Sequence, residues 1–372
     1  MSMHAVRRRA RLESLLAAQA AAVPAPAAGL EITELRLFPV REPVSGRRWT
    51  VVRARTRSGL TGYGECAQAS AADLATAERF WLGRPSTSYA TAPPNLALSG
   101  AIDVALLDLT AQAAKAPLYR LLGGPTRNKA RAFASTAGAS DPAAAVQRAV
   151  AAGYRAVGIA VPAPAARNQG DAYQIALRRL AESVQAQAAD FVLEGGGLLT
   201  PGDAARVAAA VQRLHPLWFD EPCMAGAAET IRKIADENVT PLGFGLGIRA
   251  AGAFQDLLRA GCLDIARPDL LHFGITQSRR IAALAETYYV AVAPRHEGGP
   301  ISTAAALHLA ASLPNFFIQQ IPFPEAAGDR AMRAEIAGAA VESVKDGFAA
   351  LPAGPGLGIA ISESALEKYH AA

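Results

Sequence analysis

The 372-residue chain predicts an α/β protein in which a small antiparallel sheet precedes a (β/α)8 barrel. Three observations carry this prediction. Residues 31–66 alternate polar with apolar positions, as a sheet with one covered face does. After residue 128, eight short apolar runs alternate with Ala-rich amphipathic stretches, which is the pattern of βαβ units. A tail dense in Pro and Gly, from Asp346 to Ile359, then ends the alternation.

Taken in order, residues 1–29 hold Arg7, Arg8, Arg9 and Arg11, then Leu15-Leu16-Ala17-Ala18 and an Ala/Pro run to Gly29. This basic, apolar, small-residue order resembles a twin-arginine export signal, with an Ala-rich tail as the alternative. Periplasmic and cytoplasmic placement therefore both stay open. The run Glu31–Val40 and the run Trp49–Thr56 read as strands, and Ser58-Gly59 marks a turn before Leu60–Glu65. Leu98–Ala114 has helical periodicity, and Leu118–Leu122 stops at Gly123-Gly124. Barrel strands are predicted to begin near Arg131, Tyr154, Phe191, Leu217, Pro241, Cys262, Tyr289 and Phe316. Eight such units match a closed barrel. An open sheet would favour a glycine-rich phosphate turn after its first strand, and Ala134-Ser135-Thr136 is not one.

Composition limits the function classes. Lys and Arg number 37 against 32 Asp and Glu, a formal +5, but residues 1–29 carry +3 of it. The remainder shows no basic stripe interleaved with aromatics, which argues against a nucleic-acid partner. No apolar run reaches the ~18–20 residues of a membrane span. Cys66, Cys223 and Cys262 are too widely spaced for a disulfide framework or a zinc knuckle.

In a barrel, functional side chains sit at the carboxyl ends of the strands. Those ends read Gly158-Ile159-Ala160, Glu194-Gly195-Gly196, Asp220-Glu221, Gly245-Leu246-Gly247, Pro268-Asp269, Arg295-His296-Glu297 and Gln319-Gln320. Carboxylates converging from successive strands repel unless a cation or a proton relieves them, so Mg2+ is the natural candidate.

Here the chain resembles the enolase superfamily, in its mandelate racemase and acid-sugar dehydratase branch. The resemblance rests on Gly62-Tyr63-Gly64-Glu65, on Asp103–Leu109 leading to Gly123-Gly124, on Trp218–Pro222, on Arg267-Pro268-Asp269, on Gly299–Ser302 and on Gly354–Gly358. It implies a modified (β/α)8 TIM-type barrel (128–338), an α+β capping domain (30–127) and a carboxyl-terminal segment (339–372) returning to the cap. It also implies a homo-oligomer, and a Mg2+-assisted removal of the proton α to the carboxylate of a hydroxy acid or acid sugar.

Carried over position by position, the resemblance gives Glu194, Asp220 and Glu221 as metal-binding candidates, while Leu246 falls where the third ligand belongs. The usual Lys-x-Lys bases fall on Gly158 and Ala160. Asp269 matches the aspartate that orients a histidine base; one spacing puts that base at His296, another puts Arg295 there, and His296 is preferred. The strand-eight acid falls on Gln320. Residues 41–49 correspond to a flexible capping loop whose Arg47 and Arg48 suit an acidic ligand, as does Arg295. The leading expectation is a divergent lyase or epimerase. The alternative is a catalytically impaired member serving as a binding, regulatory or structural protein.

Overall fold

The computed structural model describes residues 29–91, 98–161, 171–226 and 228–371. Apart from Gly29, the amino-terminal segment read above as an export signal or a tail lies outside the described residues. Strands β1 (Ile32–Arg41), β2 (Arg48–Thr56) and β3 (Thr61–Cys66) form an antiparallel sheet in chain order. Its inner face buries Ile32, Leu35, Val52 and Ala54 against the helix Ser99–Ala113. Gly62 and Gly64 make this packing close, because a Cβ on either would collide with a backbone carbonyl of that helix, at Ala105 and Ala101.

Eight parallel strands follow: β4 (Lys129–Ser135), β5 (Ala156–Ala160), β6 (Asp190–Glu194), β7 (Phe219–Asp220), β8 (Leu242–Phe244), β9 (Ile265–Ala266), β10 (Ala291–Val292) and β11 (Gln319–Gln320). Each pairs with the next as far as β10. Strand β11 pairs with β4, Gln319 opposite Ala132, and a bridge between Val292 and Phe316 joins β10 to the segment entering β11. The sheet is thereby closed on itself. Helices begin where the sequence supplies caps: Asp141 accepts from Ala144 N at 3.0 Å and Thr200 from Asp203 N at 3.2 Å, each with proline next in line. Inside the barrel, Phe133, Val192, Trp218, Ile265 and Ile318 form their own cluster. Each such large apolar side chain taken out of water contributes about 1.5–3 kcal/mol.

Two buried carboxylates stitch the cap to the barrel, and a third ties it to the carboxyl-terminal segment. Glu65 accepts from Gly299 N (2.8 Å) and Ser302 N (2.9 Å) at the start of the helix Pro300–Ser312. Asp103 accepts from Ile275 N (2.7 Å) and Thr276 N (2.9 Å), where Gly274 at φ +60° breaks the helix Leu270–Glu286. Asp108 accepts from Tyr63 N (3.2 Å) and Leu357 N (2.8 Å). The Gly-Tyr-Gly-Glu and Asp103–Leu109 motifs thus serve docking.

The tail is shared between the two parts. Strands β12 (Val344–Lys345) and β13 (Phe348–Ala350) form a hairpin whose second strand pairs antiparallel with Lys129–Arg131 of β4. That stretch precedes the first β4–β5 pair, Ala134 with Val157, so its edge is open to the hairpin. The chain then returns to the cap, with Arg41 N donating to Tyr369 O (3.0 Å) and Ala371 N to Pro39 O (2.8 Å).

Candidate active site at the barrel mouth

A cavity of about 330 Å³ opens between the loop Glu42–Arg47 and the ends of β4 and β11, with Ser45, Arg47, Ser135, Thr136, Glu297 and Gln320 in its wall. The loop is pinned. Buried Asp329 accepts from Val44 N (2.8 Å) and Ser45 N (3.0 Å), and the fully buried Arg333 holds Glu42 at 2.9 Å and Glu342 at 2.6 Å. Arg47 reaches across to Glu297 Oε2 at 3.1 Å. Arg48 opens β2 opposite Arg41 and is exposed, outside the cavity wall.

Glu297 stands at a crossing of donors. Its Oε1 accepts from Arg295 Nη2 and from Gln320 Nε2, both at 3.3 Å, while Arg47 takes Oε2. A loop of the cap and the ends of two strands therefore converge on one carboxylate. Burial of Arg295 works against its charge, but Glu297, Asp220, Asp269 and Glu221 outweigh this and hold the guanidinium more firmly charged.

At the third strand end, Glu194 Oε2 accepts from Ser135 Oγ at 2.8 Å. Burial, then the nearby Asp220, push the Glu194 carboxyl up to about 8. A Cβ on Gly158 would overlap the Glu194 carboxyl group. The longer acid on strand three therefore lies over the strand-two position that has lost its lysine.

Asp220 points into the barrel. Its Oδ1 accepts from Trp218 Nε1 at 2.9 Å and pairs with Arg267 Nε at 2.7 Å. Arg267 is 1% exposed, lies within 5.5 Å of the Phe133 and Trp218 ring centres, and donates to Ala293 O (3.1 Å) and Gln320 Oε1 (2.7 Å). Glu221, at φ +46°, accepts from Leu246 N at 2.6 Å. Burial, then Asp220, push its carboxyl well above the usual carboxylate range.

The expected pairing of His296 with Asp269 is not formed. A backbone bridge sets Asp269 beside Arg295, and alternation along the chain turns residue 296 the other way. His296 is fully buried, with Nε2 3.5 Å from Thr303 Oγ1. Burial and the charges of Arg333, Arg295 and Arg47 push the imidazole down to about 3, so it stays neutral with no carboxylate beside it to raise its basicity. Asp269 instead caps the helix Leu270–Glu286, accepting from Leu271 N at 3.1 Å, and pairs with Arg249 at 3.3 Å.

The profile of the enolase C-terminal domain-like family matches residues 141–365, more than half of the chain. The chain belongs to this family. Among relatives of the enolase-family chain, a D-galactonate dehydratase of Verminephrobacter eiseniae is 28% identical over 75% of this chain and 78% of its own. A D-galactonate dehydratase family member, ManD, of Chromohalobacter salexigens is 32% identical over 61% of this chain and 65% of its own. A solved mandelate racemase/muconate lactonizing enzyme-like protein from Roseovarius sp. TM1035 superposes with a TM-score of 0.78 at 25% identity, covering 92% and 96% of the two chains.

The donor set of this enolase-family chain does not fit the Mg2+ that the resemblance implies. Mg2+ takes hard oxygen ligands in near-octahedral order. Asp220 is engaged by a guanidinium and an indole N–H, Glu221 by a backbone N–H, and Leu246 offers no side-chain donor. Among the described residues no three His, Cys, Asp or Glu side chains gather as a metal site. Arg267, Ser135 and Glu297 are the site residues that sequence reasoning left without roles. Arg267 carried a signal, since a charged residue just after an apolar strand of a barrel points either into the mouth or into the core.

Proposed function

We propose that this enolase-family protein recognises a small hydroxy acid or acid sugar by its carboxylate, in the cavity beneath the loop Glu42–Arg47. The observation that carries this is the convergence of Arg47, Arg295 and Gln320 on the Glu297 carboxylate at the cavity wall. Planar guanidinium and amide donors aimed at one carboxylate can take a ligand's carboxylate in its stead, by exchange or alongside it. Ser135 and Thr136 line the same cavity, and their hydroxyl oxygens, which donate to Glu194 and to Gly158 O, can accept from a sugar hydroxyl. Relatives named as D-galactonate and D-gluconate dehydratases point to a ligand of this class. With Gly158 and Ala160 in place of lysines and His296 facing the core, the function supported best is binding without the family's proton abstraction. Calorimetric titration with D-galactonate, D-gluconate and related hydroxy acids tests it. Saturable binding that Arg295→Met weakens at least tenfold is expected; no binding across the series, or binding indifferent to that change, defeats it.

A lyase or epimerase remains the second reading, favoured by the Glu194–Ser135 pair, in which a carboxyl raised to about 8 is, once ionised, a stronger base than a free carboxylate and can accept a proton from the ligand. Exchange of the ligand's α-proton in deuterated buffer, lost in Glu194→Gln, would establish it.

A further inference from the structure

We propose that the Arg267 guanidinium is the resident cation of this barrel mouth, standing in for the divalent ion of the family, so that the Asp220 carboxylate is balanced by the protein's own side chain. Its placement carries the inference. Arg267 leaves the end of β9 and is tied in three directions, to Asp220 at 2.7 Å, Ala293 O at 3.1 Å and Gln320 Oε1 at 2.7 Å. Two aromatic faces, Phe133 and Trp218, lie against it. Swinging aside would cost this guanidinium its partners and leave Asp220 Oδ1 with the Trp218 indole N–H alone.

The surrounding groups agree. Of the other two acids that the resemblance assigns to metal, Glu194 accepts from Ser135 Oγ and Glu221 from Leu246 N, so the charge that Arg267 meets directly is Asp220. Arg295 adds a second positive charge beside Asp220 and Glu221. A dication entering here would meet two guanidiniums, an Asp220 already neutralised, and an apolar Leu246 whose backbone N–H is given to Glu221. Arg267 has a further consequence at the cavity. By donating to Gln320 Oε1 it fixes the amide so that Nε2 faces Glu297. It is therefore a positioning residue for the carboxylate-binding wall, one step removed from any ligand.

The test is metal binding, read apart from ligand binding and activity. The full chain, stripped with EDTA, is titrated with Mn2+ while free Mn2+ is followed by electron paramagnetic resonance, and with Mg2+ while the melting temperature is followed. The expected result is no saturable uptake and an unchanged melting temperature. Uptake of one Mn2+ per chain that Asp220→Asn abolishes would overturn the proposal. The reverse experiment rebuilds the site: Arg267→Met with Leu246→Glu is expected to take up one Mn2+ per chain and to melt higher with Mg2+ than with EDTA. A folded double variant that takes up none overturns the proposal. Should that variant not fold, Arg267→Gln in the native background is titrated instead, and the wild-type result decides. Ligand titrations in EDTA report on the carboxylate reading separately, so either idea can fail alone.

Discussion

Replacing Glu194 by Gln should stabilise the protein, and only above about pH 5. In the unfolded chain a glutamate ionises near 4.5, whereas in the barrel mouth burial and Asp220 hold the Glu194 carboxyl up to about 8. Between those values the unfolded chain has released a proton that the folded chain retains. Folding stability therefore falls as pH rises through this window and levels off above it. At 1.36 kcal/mol for each pH unit the ceiling is about 5 kcal/mol. Glu194 is only half-buried, and solvent screening brings the expected loss at pH 8 to about 2–3 kcal/mol. Gln has nearly the same shape, keeps an acceptor for Ser135 Oγ and does not titrate, so Glu194→Gln removes this loss without leaving a cavity. Urea unfolding of both proteins at pH 5, 6.5 and 8 is the assay. The curves should nearly coincide at pH 5 and diverge with rising pH, the variant being the more stable. A difference that is flat across pH, or a variant less stable at pH 8, would refute the account of Glu194 as a carboxyl kept protonated by its surroundings.

Glu297→Gln removes the internal carboxylate that Arg47, Arg295 and Gln320 now share, so acid-sugar affinity measured by calorimetry should rise about tenfold, the worth of one charge-assisted hydrogen bond. Arg333→Met strips Glu42 and Glu342 of their buried counter-charge and should cost about 3–5 kcal/mol, which chemical denaturation checks. His296→Gln should flatten the loss of stability below pH 6.5, because the unfolded imidazole takes up a proton near 6.5 while the buried one resists until about 3; acid titration followed by circular dichroism reads the slope.

The barrel was legible because its pattern is periodic. Eight apolar runs separated by amphipathic helices can be counted without knowing any contact, and no observed strand start lies more than three residues from its predicted place. Strand ends were legible too, which is why Glu194, Asp220, Glu221, Asp269, Arg295 and Gln320 were all singled out. Direction was not legible for strands that are only two residues long. In β9 and β10 there is too little alternation to say which side of the wall the following residue takes, so Arg295 and His296 could not be told apart by spacing. Assigning the metal role to acidic residues by position also omitted the charge that meets them. Asp220 occupies its strand end as the resemblance implies, but the residue that decides its chemistry comes from β9, 47 positions later, as Arg267. Gly158, Glu194 and Arg267 make sense together. Without a lysine on strand two, the longer acid on strand three has room to lie across the gap, where its carboxyl keeps a proton, and one fixed guanidinium meets the charge of Asp220. A lysine placed at 158 alone would accordingly push Glu194 from Ser135, since even its Cβ would meet the Glu194 carboxyl.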